Sequence, residues 1–205
     1  MTPRTTLMPL FALAALVLLA PCAHASFHIM QVEQIIGGVD GSTATQAIQL
    51  RMRSGFQSQV QNASLFAHDA AGSNAVELLA IPSSVANSAA GSRVLLATAN
   101  FSTATNPSVS PDFVLANPIP ASYMAAGSLT FEDNFGTVYW RVSWGGASYT
   151  GPTTGSLTND ADGNFGVFPD ALPTASGQAL LFQFASNAPS TNNAADYAVT
   201  SGPAV

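Results

Sequence analysis

Residues 127–145 read GSLTFEDNFGTVYWRVSWG. Leu129 and Phe131 alternate with Ser128, Thr130 and Glu132, and further on Val138, Trp140, Val142 and Trp144 alternate with Tyr139, Arg141 and Ser143. A period of two marks a strand, because successive side chains leave a pleated backbone on opposite sides. Between the two runs lie Asp133, Asn134, Phe135 and Gly136, turn formers among which Asn and Gly tolerate positive φ. The stretch therefore predicts a β-hairpin. Two tryptophans sharing a face with two valines read as core in preference to a platform for stacking sugar rings. That leaves Tyr139 and Arg141 as the pair expected at the surface.

The same alternation recurs outward from the hairpin. In 47–53, Ile48, Leu50 and Met52 face one way and Gln49, Arg51 and Arg53 the other. Shorter strands are expected over 27–36, 60–68, 76–81, 93–99, 112–116, 179–185 and 196–200, separated by Gly, Pro, Asn and Ser clusters at intervals suited to a sandwich or barrel. One helical turn is expected near 121–126, after Pro120 and before Gly127. The Ser/Thr/Asn/Pro-rich segment 102–111 reads as an exposed loop. The connection at about 147–178 is out of scale, since loops in compact domains run to roughly 4–6 residues and longer ones tend to be functional or disordered. A site is best sought there.

Arg4, the apolar run Leu7–Ala20 broken by Pro9, and the segment Pro21, Cys22, Ala23, His24, Ala25 form the three parts of a signal peptide. The run is short for a spanning helix, which needs roughly 20 apolar residues. Ala23 and Ala25 suit a signal peptidase, so 1–25 is expected to leave and 26–205 to remain as one domain. The expected location is secreted, at the cell surface or periplasmic, with no membrane span after cleavage. Cys22 is the single cysteine and departs with the leader, which removes disulfides, zinc–thiolate sites and cysteine nucleophiles. Its retention as a lipid-modified first residue is disfavoured by Pro21, where such processing wants a small residue.

Loss of Arg4 leaves four arginines and no lysine against eleven acidic residues, a net charge of −7. Nucleic acid is not an expected partner, because a phosphate backbone calls for clustered Lys and Arg, and here only Arg51 and Arg53 sit together. Charged residues are 8% of the chain against roughly 25% in an ordinary soluble domain, so solubility rests on Ser, Thr, Asn and Gln. A hydrophobic content of 47% separates the chain from disordered sequences.

The run 127–138 followed by Ser143, Trp144 and Gly145 resembles the closing hairpin of lamin-tail-like domains, with an apolar strand, an Asp-x-x-Gly turn and a strand ending in an aromatic–Gly pair. Residues 47–53 then match the early strand of that family, with Gln49 where a Glu is usual, and 92–97 the strand that follows a Gly. The resemblance spans roughly 27–147 and implies an all-β fold, an immunoglobulin-like antiparallel β-sandwich. The chain is also similar to a group of exported bacterial proteins of unknown function that open with Phe-His-x-Met-Gln and carry an Asn-Asp-Ala-Asp-Gly-Asn loop, here 27–31 and 159–164. That likeness implies no activity.

Within the long connection, Asp160, Asp162 and Asn164 follow Asn159 with oxygen-bearing side chains at alternate positions, the spacing by which a loop folds around Ca²⁺, and Asp170 supplies a further carboxylate by folding back. Phe165 stands where an EF-hand has Gly, and no Glu closes the loop. The competing reading is that Asn, Asp and Gly simply build turns. Hydrolytic chemistry has less support. Asp69 follows His68 directly and so points to the other face of a strand; Glu132 and Asp133 fail in the same way, and no Gly-x-Ser-x-Gly elbow is present. Asn62 and Asn100 begin glycosylation acceptor patterns, which matter only in a host that glycosylates. The expectation is an exported, non-catalytic binding or structural module that meets polysaccharide or a cell-surface protein. The alternative is a secreted hydrolase or accessory domain holding calcium at 159–170.

Overall fold

A computed structural model describes residues 27–154, 165–184 and 192–202. The expected leader, 1–25, lies outside them. The hairpin reads as expected: β7 (Gly127–Asp133) pairs antiparallel with β8 (Val138–Trp144). The turn is built by Asp133, whose Oδ1 accepts the N–H groups of Phe135 and Thr137 while Gly136 takes φ +82°. β3 (Ala63–His68) joins the free side of β7, and β4 (Val76–Ala80) joins β3. This gives a four-stranded sheet in the order β4-β3-β7-β8.

The second sheet has six strands. β1 (Met30–Ile36), β2 (Ala47–Met52), β5 (Arg93–Ala97), β6 (Phe113–Val114), β9 (Leu180–Phe182) and β10 (Tyr197–Val199) lie in the order β10-β9-β1-β2-β5-β6. Every pairing is antiparallel except the short one between β5 and β6. The helices are single turns: α1 (Phe101–Ala104), α2 (Asn193–Asp196) and a 3₁₀ turn at Ala121–Tyr123, within the stretch where a helical turn was expected.

The two sheets form a β-sandwich whose core is the predicted set of alternating side chains. Met30, Val32, Ile48, Leu50 and Met52 face Leu65, Leu129, Phe131, Trp140, Val142 and Trp144, all essentially inaccessible to water. Burial of each such side chain stabilises by roughly 1.5–3 kcal/mol. The tryptophans are core, and each indole N–H is bonded: Trp144 donates to the Tyr123 carbonyl and Trp140 to the Tyr197 hydroxyl, both at 2.8 Å. Tyr197 donates in turn to the Val32 carbonyl, and burial pushes its phenol well above its ordinary pKa.

Tyr139 corrects the simple alternation. Phe131 pairs with Trp140 and Glu132 with Val138, so Tyr139 is the extra residue of a β-bulge. The bulge turns its ring inward against Phe27, with 5.6 Å between centroids, and His28 stacks on it at 4.6 Å. Tyr139 is 6% exposed and is not the surface residue a strict period of two implies. Its phenol is pushed up to about 12 by burial and by the bond to Asp133 Oδ2.

Much of the long connection is fastened to β8. Phe168 bridges Trp144 in parallel and donates its N–H to the Ser143 carbonyl at 2.8 Å, while Phe168 and Leu172 enter the core. The chain turns at Gly145, where φ is +100° and a Cβ would lie 2.4 Å from that of Ala126. No other residue fits there without displacement.

Candidate functional site

Of the predicted calcium ligands, Asp160, Asp162 and Asn164 lie outside the described residues, and Asp170 lies within them. The Asp170 side chain is exposed, and its backbone carbonyl accepts the Gly145 N–H at 2.9 Å. Among the described residues no three His, Cys, Asp or Glu side chains sit together as a metal would need. The chain on either side of 155–164 is held at one point. Gly166 donates its N–H to the Thr153 carbonyl at 3.2 Å, and the Phe165 carbonyl accepts the Asn193 N–H at 2.6 Å. Asn193 is fully buried, and among the described residues neither its side-chain oxygen nor its side-chain nitrogen has a partner.

Beside this point runs a largely buried polar layer on the outer face of the four-stranded sheet. Register places His68 opposite Ser128 and Ser128 opposite Ser143; the next row is Phe66, Thr130 and Arg141, and Ser64 faces Glu132 beyond it. Thr130 Oγ1 gives its single proton to Glu132 Oε1 at 2.5 Å, so His68 Nε2, 3.1 Å from Thr130 Oγ1, must carry the proton in that contact. Burial lowers the His68 pKa, the Arg141 charge lowers it further, and Asp69 opposes both. Ser128 Oγ receives Arg141 Nη1 and the Tyr149 hydroxyl, each at 3.2 Å. Tyr149 belongs to a strap that crosses toward the β3–β4 turn, where Thr150 and Gly151 both donate to the Ala70 carbonyl. Arg141 lies over the Phe165 ring, 5.7 Å from its centroid. Ser143 Oγ is buried without a partner among the described residues.

The hydroxyl that meets both His68 and Glu132, that of Thr130, is buried. Asp69 turns into its own loop, where it accepts from Ser73 and Ala71 backbone N–H groups and from Asn74 Nδ2; these bonds hold its carboxyl below the usual range. It does not orient His68. Glu132 and Asp133 diverge as expected, the first to Thr130 and the second into its turn and Tyr139. For Asp133, burial pushes the carboxyl up, and the bonds from Thr137, Tyr139 and Phe135 more than offset it.

The outer face of the six-stranded sheet carries an ion-pair network the sequence did not reveal. β2 and β5 place Arg93 opposite Arg51. Glu33, the extra residue of a bulge in β1, bridges them, 2.8 Å from Arg51 Nη1 and 2.6 Å from Arg93 Nε. The bond to Glu33 raises the Arg93 pKa against the effect of burial.

Six large apolar side chains stand exposed among the described residues: Ile29, Phe56, Val114, Phe135, Phe184 and Val199. No protein-family model matches the chain, and no curated protein matches it.

Proposed function

We propose that this chain is an exported, non-catalytic binding module of the cell surface or extracellular space. The observation that carries the reading is that, among the described residues, His68, Asp69, Glu132 and Asp133 are bound to their neighbours or to their own turns, while Phe56 and Phe135 stand exposed between strands. Exposed apolar groups gathered together mark interaction surfaces, and loops held by a rigid sandwich are where binding residues concentrate. The likeness of 127–145 to lamin-tail-like domains belongs to the same reading. A surface rich in hydroxyl and amide groups suits polysaccharide or an envelope protein as partner. Expression of the full chain, cell fractionation and intact mass test the reading: the mature chain should begin at Ser26 and lie outside the cytoplasm, on the cell surface or in the medium. Recovery from the cytosol with 1–25 attached would end it.

A second reading has its own support. The buried side-chain amide of Asn193, without a partner among the described residues, lies beside Phe165, which follows the Asp160–Asn164 run in sequence, and an amide oxygen is a calcium ligand. On this reading the module, or a secreted hydrolase of which it is the accessory domain, holds Ca²⁺ at 159–170.

A further inference from the structure

We infer that the mature chain binds a copper(II) ion at its amino terminus, through the Ser26 α-amine, the backbone nitrogens of Phe27 and His28, and the His28 imidazole. The inference rests on the export reading above, because cleavage after Ala25 is what creates the amine. A histidine third from a free amine closes fused chelate rings around a metal, since each nitrogen is joined to the next by a short covalent link. The four nitrogens then lie in one plane, the arrangement copper(II) prefers. A single side chain suffices, with the main chain supplying the other donors.

The fold leaves these donors outside its own hydrogen bonding. Sheet pairing begins at Met30, opposite Met52. Just before it the chain is tied at Ile29, whose N–H donates to Gln57 Oε1 at 2.9 Å and whose carbonyl accepts the Arg53 N–H at 3.0 Å. Among the described residues the N–H groups of Phe27 and His28 donate no hydrogen bond, and neither ring nitrogen of His28 has a partner. Neither residue is proline, so each carries an amide proton that a metal can displace. The Phe27 side chain is buried and packs edge-on against Phe131 and Tyr139, which anchors this stretch to the core. His28 stays exposed, its ring stacked on Tyr139 at 4.6 Å.

The donor set selects the metal. Displacing amide protons calls for a strong Lewis acid that accepts a planar field. Copper(II) stands at the top of the divalent series and nickel(II) next below it, whereas zinc(II) favours a tetrahedron. The charges balance, because the doubly charged ion replaces two amide protons, which pass to solvent, while amine and imidazole bind as neutral groups. Calcium takes oxygen donors, so this site is separate from the one considered at 159–170. Competing copper ligands are few. After the leader the chain has no cysteine and no lysine, and its methionines, Met30, Met52 and Met124, are buried. The other histidine, His68, is half-buried, with Nε2 bonded to Thr130.

The test takes the chain recovered from cells expressing the full sequence, reads its first residue by intact mass, and adds copper(II) in glycine buffer. A single copper ion should bind per chain, with the visible absorption and nitrogen hyperfine pattern of a planar four-nitrogen centre. Excess zinc(II) should not displace it. Acetylation reaches only the α-amine, because the chain has no lysine. It should lower copper affinity roughly a hundredfold or more, the usual gain of multivalent attachment, and leave the melting temperature unchanged. His28→Ala should lose as much, and His68→Gln should bind copper like the parent. A chain that begins at Ser26 and binds no copper, or binds it equally well after acetylation, overturns the inference and leaves the export reading standing. So does copper binding that His68→Gln removes. A first residue other than Ser26 overturns the inference by itself, and recovery with 1–25 attached overturns the export reading as well.

Discussion

The indole N–H of Trp140 lies 2.8 Å from the hydroxyl of Tyr197, and that hydroxyl passes its own proton to the carbonyl of Val32. Trp140 belongs to the four-stranded sheet, and Tyr197 and Val32 to the six-stranded one. One phenol therefore satisfies a buried donor and a buried acceptor from opposite sides of the core. In Tyr197→Phe both lose their partner where water cannot replace it, a loss of about 1–3 kcal/mol. For a domain of this size that lowers Tm by roughly 5 °C. Tyr123→Phe removes a hydroxyl that bonds the Asn74 carbonyl at the exposed surface, and thermal melting should show a much smaller loss.

His68 makes stability depend on pH. Its folded pKa is depressed by burial and by Arg141, so folding disfavours the protonated ring. Above the unfolded value of about 6.5 the ring is neutral in both states and incurs no penalty. As pH falls through that value the unfolded chain takes up a proton that the native state resists, and stability declines. His68→Gln keeps an N–H donor for Thr130 and removes the titration. Melting temperatures measured between pH 7 and pH 5 should fall less steeply for this variant than for the parent, and equal slopes would refute the assignment.

Two turn glycines should respond differently to the same substitution. At Gly136, φ is +82° and nothing lies within 4 Å of an added Cβ, so Gly136→Ala meets only the conformational cost of about 1–3 kcal/mol. At Gly145 the Cβ would also strike Ala126, 2.6 Å from its Cα and 2.7 Å from the Ala125 carbonyl. Gly145→Ala should cost more, enough to shift a urea midpoint by about 1 M beyond the Gly136 variant.

Calcium binding at 159–170 has a direct readout. Titration of metal-free protein with Ca²⁺ should release or absorb heat and raise Tm, and Asp160→Asn combined with Asp162→Asn should abolish both effects. Asn193→Leu should weaken binding if its amide oxygen is a ligand. A flat titration at millimolar Ca²⁺ disposes of the site.

The strands were legible because their signal is local. Ile48, Leu50 and Met52 lie two apart in sequence and therefore on one face, whatever they pair with. The same holds for the hairpin, whose turn residues stand beside the strands they join. Tyr139 was misread because a bulge depends on the partner strand, and the sequence of β8 alone does not record where Glu132 meets Val138. Phe135 and Phe56 were hidden for a related reason. A phenylalanine within a turn looks like any other apolar residue until the chain around it is seen to leave it uncovered.

By itself, then, the amino-acid order determined that the residues from about 27 onward alternate, extend and pair, and which side chains supply the core. Three things waited for the tertiary structure: that Arg93 lies across from Arg51 with Glu33 between them, that His68 reaches Glu132 through Thr130, and that Phe168 of the long connection docks beside Trp144. Alternation is a property of neighbouring peptide units, whereas each of these contacts joins residues far apart in the chain. Such contacts exist only after register and strand order have been chosen by the packing of the whole core.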